Sequence, residues 1–265
     1  MKVEQYETDD EIMDRIRERF MFLEDMARAV KGGSIRSLIV TGAPGMGKSF
    51  GVEKVLGYHD VFATIANDFS LKKYEIVKGA IGDLGLYKKL YEYRHAKNAL
   101  VLDDCDDIYT SDRGLNLLKS ALDTSKKRIL SWHFDSNILR DEGIPNSFEF
   151  NGGMIFITNV NFNYVRSKSL RKHLEALEDR SHLFDLTVHT PREQVIRIKQ
   201  VVADGMLNDL RINDEAKKAV VDFVLENQNN LKLSLRTVSK TAELAEAFPD
   251  NDKWKKVARM TLKGI

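Results

Sequence analysis

The chain has 265 residues, of which 43% are hydrophobic and 31% are charged, a composition that excludes a largely disordered protein and allows one substantial core with a smaller appendage. The 41 basic residues nearly balance the 40 acidic ones, so the overall charge does not indicate a nucleic-acid or membrane partner. One cysteine excludes an internal disulfide, and without a secretory signal or a long apolar run we expect a cytoplasmic protein with no membrane partner.

The first predicted element is a helix over residues about 10–31. Its apolar side chains recur at helical spacing, as at Ile12, Ile16 and Phe20, and the pattern ends in Gly32 and Gly33. We interpret this segment as a helix that packs on the core.

Short apolar runs alternate with helix-length segments through the first two thirds of the chain. They lie at residues 37–41, 61–65, 100–102, 154–157 and 183–188. This alternation predicts an α/β fold with a five-stranded parallel sheet covered on both faces. Only helical patterns follow Pro191, over residues 195–206, 215–227, 234–247 and 253–262. We therefore expect an α/β domain over 1–190 and a small all-helical domain over 191–265.

The strongest motif lies between the first apolar run and a helical segment that begins at Phe50. Its residues are Gly42, Ala43, Pro44, Gly45, Met46, Gly47, Lys48 and Ser49. Glycines let the backbone N–H groups turn inward and the following helix adds positive potential, so residues 42–50 are predicted to bind phosphates. Lys48 is expected to reach the terminal phosphates and Ser49 to ligate magnesium. The predicted cofactors are ATP and Mg²⁺.

Two carboxylates end the apolar run at 100–102. Asp103 and Asp104 are thereby placed at the carboxyl end of a predicted parallel strand, where such sheets bind ligands. We assign Asp103 to the magnesium, through water or Ser49, and Asp104 to polarise the water that attacks the γ-phosphate. Asp106 and Asp107, after Cys105, are predicted to form a solvated turn.

Taken together, the loop 42–49, the carboxylate run 100–104, a strand ending in Asn159 and the helical C-terminus resemble the AAA+ ATPase family of P-loop NTPases. The resemblance covers roughly residues 10–262. It implies that Asn159, or alternatively Thr158, senses the γ-phosphate and helps to orient the water. The family usually carries Asp-Glu where this chain has Asp-Asp, and the shorter second side chain implies a shifted water.

The resemblance also implies an arginine that acts on the active site of the neighbouring subunit. Arg180, just before the last predicted strand, is our candidate, and Arg171 is its rival; a surface arginine at a helix end is the structural alternative. Arg236 resembles the family arginine that reaches the nucleotide from the helical C-terminal domain, which the family uses as a lid; a surface arginine at a helix N-terminus is the structural alternative. The resemblance thus implies a homo-oligomer, a ring or spiral that is most often a hexamer.

Two segments are candidates for contact with a substrate. Alternating apolar residues around a long loop predict a β-hairpin over about 126–152, and the resemblance implies that it projects toward a central channel or packs on a neighbouring subunit. Residues 72–82 lie where the family places a channel loop, with Tyr74 or Ile81 as the gripping side chain. Trp132 and the nearby phenylalanines are more typical of packing.

The leading functional hypothesis is an oligomeric motor that hydrolyses ATP to remodel or translocate a macromolecule, DNA or protein. The residue pattern at 129–132 and 147–150 resembles that of uncharacterised phage-encoded ATPases, which favours a substrate in DNA metabolism. A slow nucleotide-dependent switch or loader that recruits a protein partner is the alternative. A small-molecule kinase is a third class, which would not need an arginine from a second subunit.

Overall fold

The computed structural model describes residues 7–67, 73–160, 165, 167–249 and 251–262, and the chain forms two compact units. The sheet unit contains Phe20–Gly42 and Lys48–Leu186. The helical unit contains Met1–Arg19, Ala43–Gly47 and Thr187–Ile265. The division after Leu186 lies just before the boundary expected near residue 190. The predicted phosphate-binding loop over residues 42–49 is called the phosphate loop below. The inclusion of its middle, Ala43–Gly47, and of the N-terminal segment up to Arg19 in the helical unit was not predicted.

The elements up to the end of the sheet unit alternate between helices and strands. They are α1 (Asp9–Gly32), β1 (Ser37–Thr41), α2 (Lys48–Ala66), β2 (Tyr74–Lys78), α3 (Asp83–Glu92), β3 (Ala99–Asp103), a 3-10 helix (Asp106–Thr110), α4 (Asp112–Ala121), β4 (Ile129–Ser131), α5 (Asn137–Asp141), β5 (Ser147–Glu149), β6 (Gly153–Ile157), α6 (Lys168–Glu178) and β7 (His182–Asp185). The predicted N-terminal helix is confirmed as α1.

Five strands form one parallel sheet in the order β2-β3-β6-β1-β7. Strands β1, β3 and β6 are buried along their whole length, as expected for a parallel sheet with both faces covered. Ile157 of β6 pairs with Asp103 on one side and with Val40 on the other, so the carboxyl ends of three strands lie side by side. The predicted α/β fold with a five-stranded parallel sheet is confirmed.

The strand predicted at residues 61–65 is wrong, because these residues belong to α2. Val61 and Ile65 are 56% and 77% exposed, so their side chains lie on the outer surface of the helix. A five-residue apolar run fits a buried strand and a helix segment equally well, and the extent of α2 decides between them. The missing strand is β2, which begins at Tyr74.

This strand also corrects the predicted channel loop. The ring of Tyr74 is 6% exposed within β2 and is therefore not available to grip a substrate. Ile81 is partly buried against the core of the sheet unit. Lys72 lies outside the described residues.

The predicted hairpin is confirmed by the antiparallel pair β4 and β5, in which Leu130 lies opposite Phe148. Its aromatic residues pack on α3: the rings of Trp132 and Phe148 have their centroids 5.5 and 5.1 Å from that of Tyr87. The helix α5 lies in the connection, and Ile138 in it is 50% exposed. The aromatic residues of the hairpin thus pack within their own sheet unit.

The helical unit contains the remaining helices, and the predicted all-helical C-terminal region is confirmed. They are α7 (Pro191–Ala203), α8 (Asp214–Glu226), α9 (Leu235–Ala247) and α10 (Asn251–Thr261). Phe223 and Trp254 meet edge to face in its core, with ring centroids 5.3 Å apart. Arg15, in the first half of α1, lies 2.8 Å from Glu193 of α7. In the described ranges, every helix is too short or too polar to cross a membrane.

Candidate functional site

The phosphate loop connects β1 to α2. Gly42, Gly45 and Gly47 have φ angles of 145°, 75° and 99°, in the region where a side chain is strained. Three glycines therefore permit a backbone path that other residues would resist. This conformation is the local reason for the glycine spacing of the motif.

Lys48, the first residue of α2, lies in a polar cluster at the end of the sheet. Its side chain is buried, and Nζ donates to the carbonyl oxygen of Gly42 and to Oδ1 of Asn159, both at 2.7 Å. The structure thereby brings together two of the predicted site residues that are far apart in sequence. A buried ammonium group at this place is suited to neutralise a phosphate.

Ser49 and Asp103 form the second part of the cluster. The hydroxyl of Ser49 donates to Oδ1 of Asp103 at 3.0 Å, and the carboxylate is 5% exposed. Burial raises the pKa of Asp103, which the hydrogen bond from Ser49 opposes. A hydroxyl and a carboxylate in contact fit the oxygen ligands of Mg²⁺, which usually keeps several waters and phosphate oxygens as further ligands. Across the described residues, no group of three or more His, Cys, Asp or Glu side chains forms a different metal site.

Asp104 adopts a backbone conformation that is unusual for a residue with a side chain. Its φ is +54°, its N–H donates to the carbonyl oxygen of Ile157 at 2.9 Å, and its side chain is exposed. Asp and Asn are the residues that tolerate this left-handed region best. Oδ1 of Asp104 accepts a hydrogen bond from Nδ2 of Asn159 at 2.8 Å, so Asn159 links Asp104 to Lys48.

The interpretation of Asp106 as part of a solvated turn is wrong. Its carboxylate accepts a 2.7 Å hydrogen bond from the hydroxyl of Thr158, and burial raises the pKa of Asp106. Thr158 is fully buried, and its hydroxyl also accepts from the N–H of Val160. The pair joins the 3-10 helix to the end of β6, whereas Asp107 is exposed as predicted. Sequence spacing alone gave no signal for a contact across 52 positions.

Cys105 lies between the pairs Asp103–Asp104 and Asp106–Asp107, and the reactivity of its thiol tests how accessible this region is to solvent. Its side chain is 4% exposed, and burial raises the pKa of the thiol to about 11. At pH 8 we expect a disulfide reagent to react at least about a hundredfold more slowly with the native protein than with the chain in guanidinium, because only the thiolate is nucleophilic. The rate should increase with pH. Complete labelling of the native protein within the mixing time would contradict this burial.

The two candidate arginines of the sheet unit do not join the cluster. Nη1 of Arg180 donates to the carbonyl oxygen of Ala176 at 2.7 Å, so the side chain folds back on the preceding helix α6. Nη2 of Arg171 donates to the carbonyl oxygen of Val165 at 2.8 Å. Arg180 precedes β7, as predicted, and is half-buried.

Within the helical unit, the start of α9 contacts the centre of the phosphate loop. The N–H of Leu235 donates to the carbonyl oxygen of Gly45 at 2.9 Å, and Ser234 caps the helix. A Cβ atom at Gly45 would lie 3.1 Å from Cβ of Ser234 and 3.6 Å from Cγ of Arg236, so a side chain here would be tightly packed as well as strained. Arg236 is exposed. Ser234 was not singled out from the sequence, although a serine before a helical run is the ordinary signal of a cap.

The structure thus has an α/β fold in which a glycine-rich loop, a lysine and two carboxylates meet at the carboxyl end of a parallel sheet. The chain belongs to the family of the uncharacterized 36.7 kDa protein encoded in the nrdC-mobD intergenic region of Enterobacteria phage T4. The two sequences are 34% identical over an alignment of 263 positions, which covers 97% of this chain and 78% of the relative. This relationship confirms the resemblance to phage-encoded proteins. No protein-family model matches the chain.

The chain is also similar to solved structures of two proteins in complex with DNA. One is the replication initiator DnaA bound to AMPPCP and single-stranded DNA, with 14% identity, a TM-score of 0.49 and coverage of 89% of this chain. Another is the ORC1 protein of Aeropyrum pernix in complex with DNA, with 12% identity, a TM-score of 0.49 and coverage of 91%. The chain spans 63% and 64% of the lengths of these two structures.

Proposed function

We propose that this protein is an AAA+ ATPase that hydrolyses ATP at the subunit interfaces of a homo-oligomer to remodel or translocate a macromolecule. The assembly is a ring or spiral, with a hexamer as the proposed number, and DNA is the leading substrate, ahead of protein. One observation carries the proposal. The hydrogen-bonded links Ser49–Asp103 and Lys48–Asn159–Asp104 meet at the carboxyl end of the sheet.

The first set of proposed roles concerns binding. Magnesium-ATP, when bound, supplies a γ-phosphate that is open to attack by water. The backbone N–H groups of residues 42–49, except Pro44, which has none, hold the phosphates. Lys48 exchanges its bonds to Gly42 and Asn159 for phosphate oxygens. Ser49 and Asp103, already in contact, hold the metal.

The second set concerns hydrolysis. Asp104 accepts a proton from the attacking water, and its exposed carboxylate leaves space for that water. Asn159 orients the water or the γ-phosphate, a role supported by its hydrogen bond to Asp104. Arg180 from a neighbouring subunit stabilises the charge on the transferred phosphoryl group, after its bond to Ala176 is released. Arg236 contributes to nucleotide binding from the lid.

A slow switch or loader is the second candidate function, and the geometry of Asp104 favours it. The side chain is one methylene shorter than glutamate, and its Oδ1 is bound by Asn159. Both features oppose ideal alignment of the water. A protein of this kind would bind ATP, turn it over slowly and respond to a protein partner in place of a DNA track.

Steady-state ATP turnover, titrated separately with single-stranded DNA, duplex DNA and an unfolded protein, tests the proposal. For a motor on DNA we expect stimulation of several fold by one form of DNA, because the track is part of its cycle. A switch should turn over slowly with all three. Lys48→Ala serves as the blank, since it removes the ammonium that holds the phosphates. A protein without measurable affinity for magnesium-ATP overturns the proposed function.

A further inference from the structure

The charged residues that line a large cleft in the helical unit are all positive. Its volume is about 1140 Å³, and all of its lining residues belong to the helical unit. Four are cationic: Lys232, Arg236, Lys240 and Arg259. Among the described residues that line the cleft, none is Asp or Glu. This separation of charge contrasts with the near-equal numbers of acidic and basic residues in the whole chain.

The four cations are not neutralised by neighbouring carboxylates. All four are exposed, and in the described part of the chain none of them forms a salt bridge. Elsewhere in the same unit, Lys217 pairs with Asp214 and Arg192 with Asp9. Cations on a concave wall without acids produce a positive potential that attracts anions.

Two further features shape the site for an anion. The guanidinium of Arg259 lies over the ring of Phe223, 5.5 Å from its centroid, which restricts the position of this cation. The helix α9 begins beside the cleft after Ser234, so its N-terminus adds to the positive potential.

The remaining polar wall carries amide groups. Asn227, Asn229 and Asn230 lie in the connection between α8 and α9, whereas the hydroxyls of the threonines that line the cleft already donate to backbone carbonyl oxygens. Amide groups can bond to phosphates, sugars and the edges of unpaired bases.

We propose that this cleft binds the phosphate backbone of single-stranded nucleic acid. Several separate cations suit successive phosphates, and a single strand can enter a concave site and expose its base edges to the asparagines. The inference deepens the proposed function, on which it rests, by giving the macromolecular substrate a location. DNA and RNA share this backbone chemistry and are separated by the test. An acidic protein segment is a different kind of ligand, and the test compares its binding with that of nucleic acid.

The experiment compares two double variants that remove one lysine and one arginine each. Lys240→Ala/Arg259→Ala alters the cleft, and Arg17→Ala/Lys54→Ala removes the same charge from exposed positions on α1 and α2. Binding of labelled oligo(dT) and oligo(U) of about 20 nucleotides is measured by fluorescence anisotropy without ATP. We expect Kd to rise at least about tenfold for the cleft variant only, with the slope of log K against log salt reduced by about 1.4, the value for two lost phosphates.

Equal binding by the two double variants overturns the proposal, as does stronger competition by an acidic polypeptide than by an unlabelled strand. The conservative variant Lys240→Arg/Arg259→Lys should retain binding, and thermal melts of all variants separate loss of charge from loss of folding. Arg236 is left unchanged because of its proposed role toward the nucleotide. Lys48→Ala should still bind the strand. A protein that does not hydrolyse ATP can therefore be distinguished from one whose cleft does not bind the strand.

Discussion

Asp104→Asn is expected to bind magnesium-ATP almost normally and to lose at least about a hundredfold in kcat. The amide has nearly the shape of the carboxylate but cannot accept the proton of the attacking water. The backbone at φ +54° should be preserved, since Asn adopts the left-handed region as readily as Asp. Phosphate release at steady state measures the loss, and binding of a fluorescent ATP analogue measures affinity.

The structure supplies a matched control for this variant. Asp107→Asn makes the same change in charge at an exposed neighbouring carboxylate and should leave turnover unchanged. Lys48→Ala should differ from both because it loses nucleotide binding. If Asp104→Asn and Asp107→Asn turn over alike, at the rate of the unmodified protein, another group activates the water and our assignment of Asp104 is wrong.

Arg180→Ala is expected to assemble and bind nucleotide but to lose about three orders of magnitude in turnover, the usual scale for an arginine supplied in trans. The substitution removes one hydrogen bond, to the carbonyl oxygen of Ala176, at a half-buried position. Its effect on folding should therefore be small, about 1 kcal/mol. Light scattering with an ATP analogue gives the mass of the assembly, and phosphate release gives the rate.

Mixing Arg180→Ala with Asp104→Asn tests whether the site is shared between subunits. In a ring of randomly mixed subunits, about a quarter of the interfaces combine an intact Asp104 with an intact Arg180 from the neighbour, so turnover should recover to about that fraction. Absence of recovery in a verified mixed oligomer would favour a site within one subunit. Arg171→Ala, the rival substitution, should show neither the loss nor the recovery.

The side chain of Asn159 connects two residues with different proposed roles. It accepts from Lys48 and donates to Asp104, so the groups proposed to hold the phosphate and to activate the water are already coupled. A phosphate that binds the ammonium group of Lys48 would break its hydrogen bond to Oδ1 of Asn159. This coupling gives a physical reason to expect that removal of Asn159 affects hydrolysis more than binding.

The phosphate loop could be predicted because its determinants are local. Glycines with positive φ, a lysine and a serine at the start of a helix follow one another along the chain, and neighbouring residues dictate this conformation. Asp103 and Asp104 were found for a related reason, since a buried strand of five residues ends there. The helices of the C-terminal region were predicted from their own periodicity.

Other features depended on contacts between distant residues. The run 61–65 has a composition that suits a strand, yet it extends α2, and β2 takes its place in the sheet. The hydrogen bond between Thr158 and Asp106 exists only because β6 lies beside β3. The cationic cleft could not be predicted from the sequence either. Its residues are dispersed along the chain of the helical unit, and the near-zero net charge of the whole chain gives no sign of a local excess of cations.

The sequence by itself determined the glycine-rich loop, the carboxylates at the end of β3, the type of most elements and the parallel sheet. Each follows from backbone preferences and apolar periodicity within one segment. The tertiary structure decided which strand occupies the sheet edge, that residues 1–19 and 43–47 group with the C-terminal helices, and that Asn159 joins Lys48 to Asp104. These outcomes depend on which distant surfaces are buried together, a property that no single segment encodes.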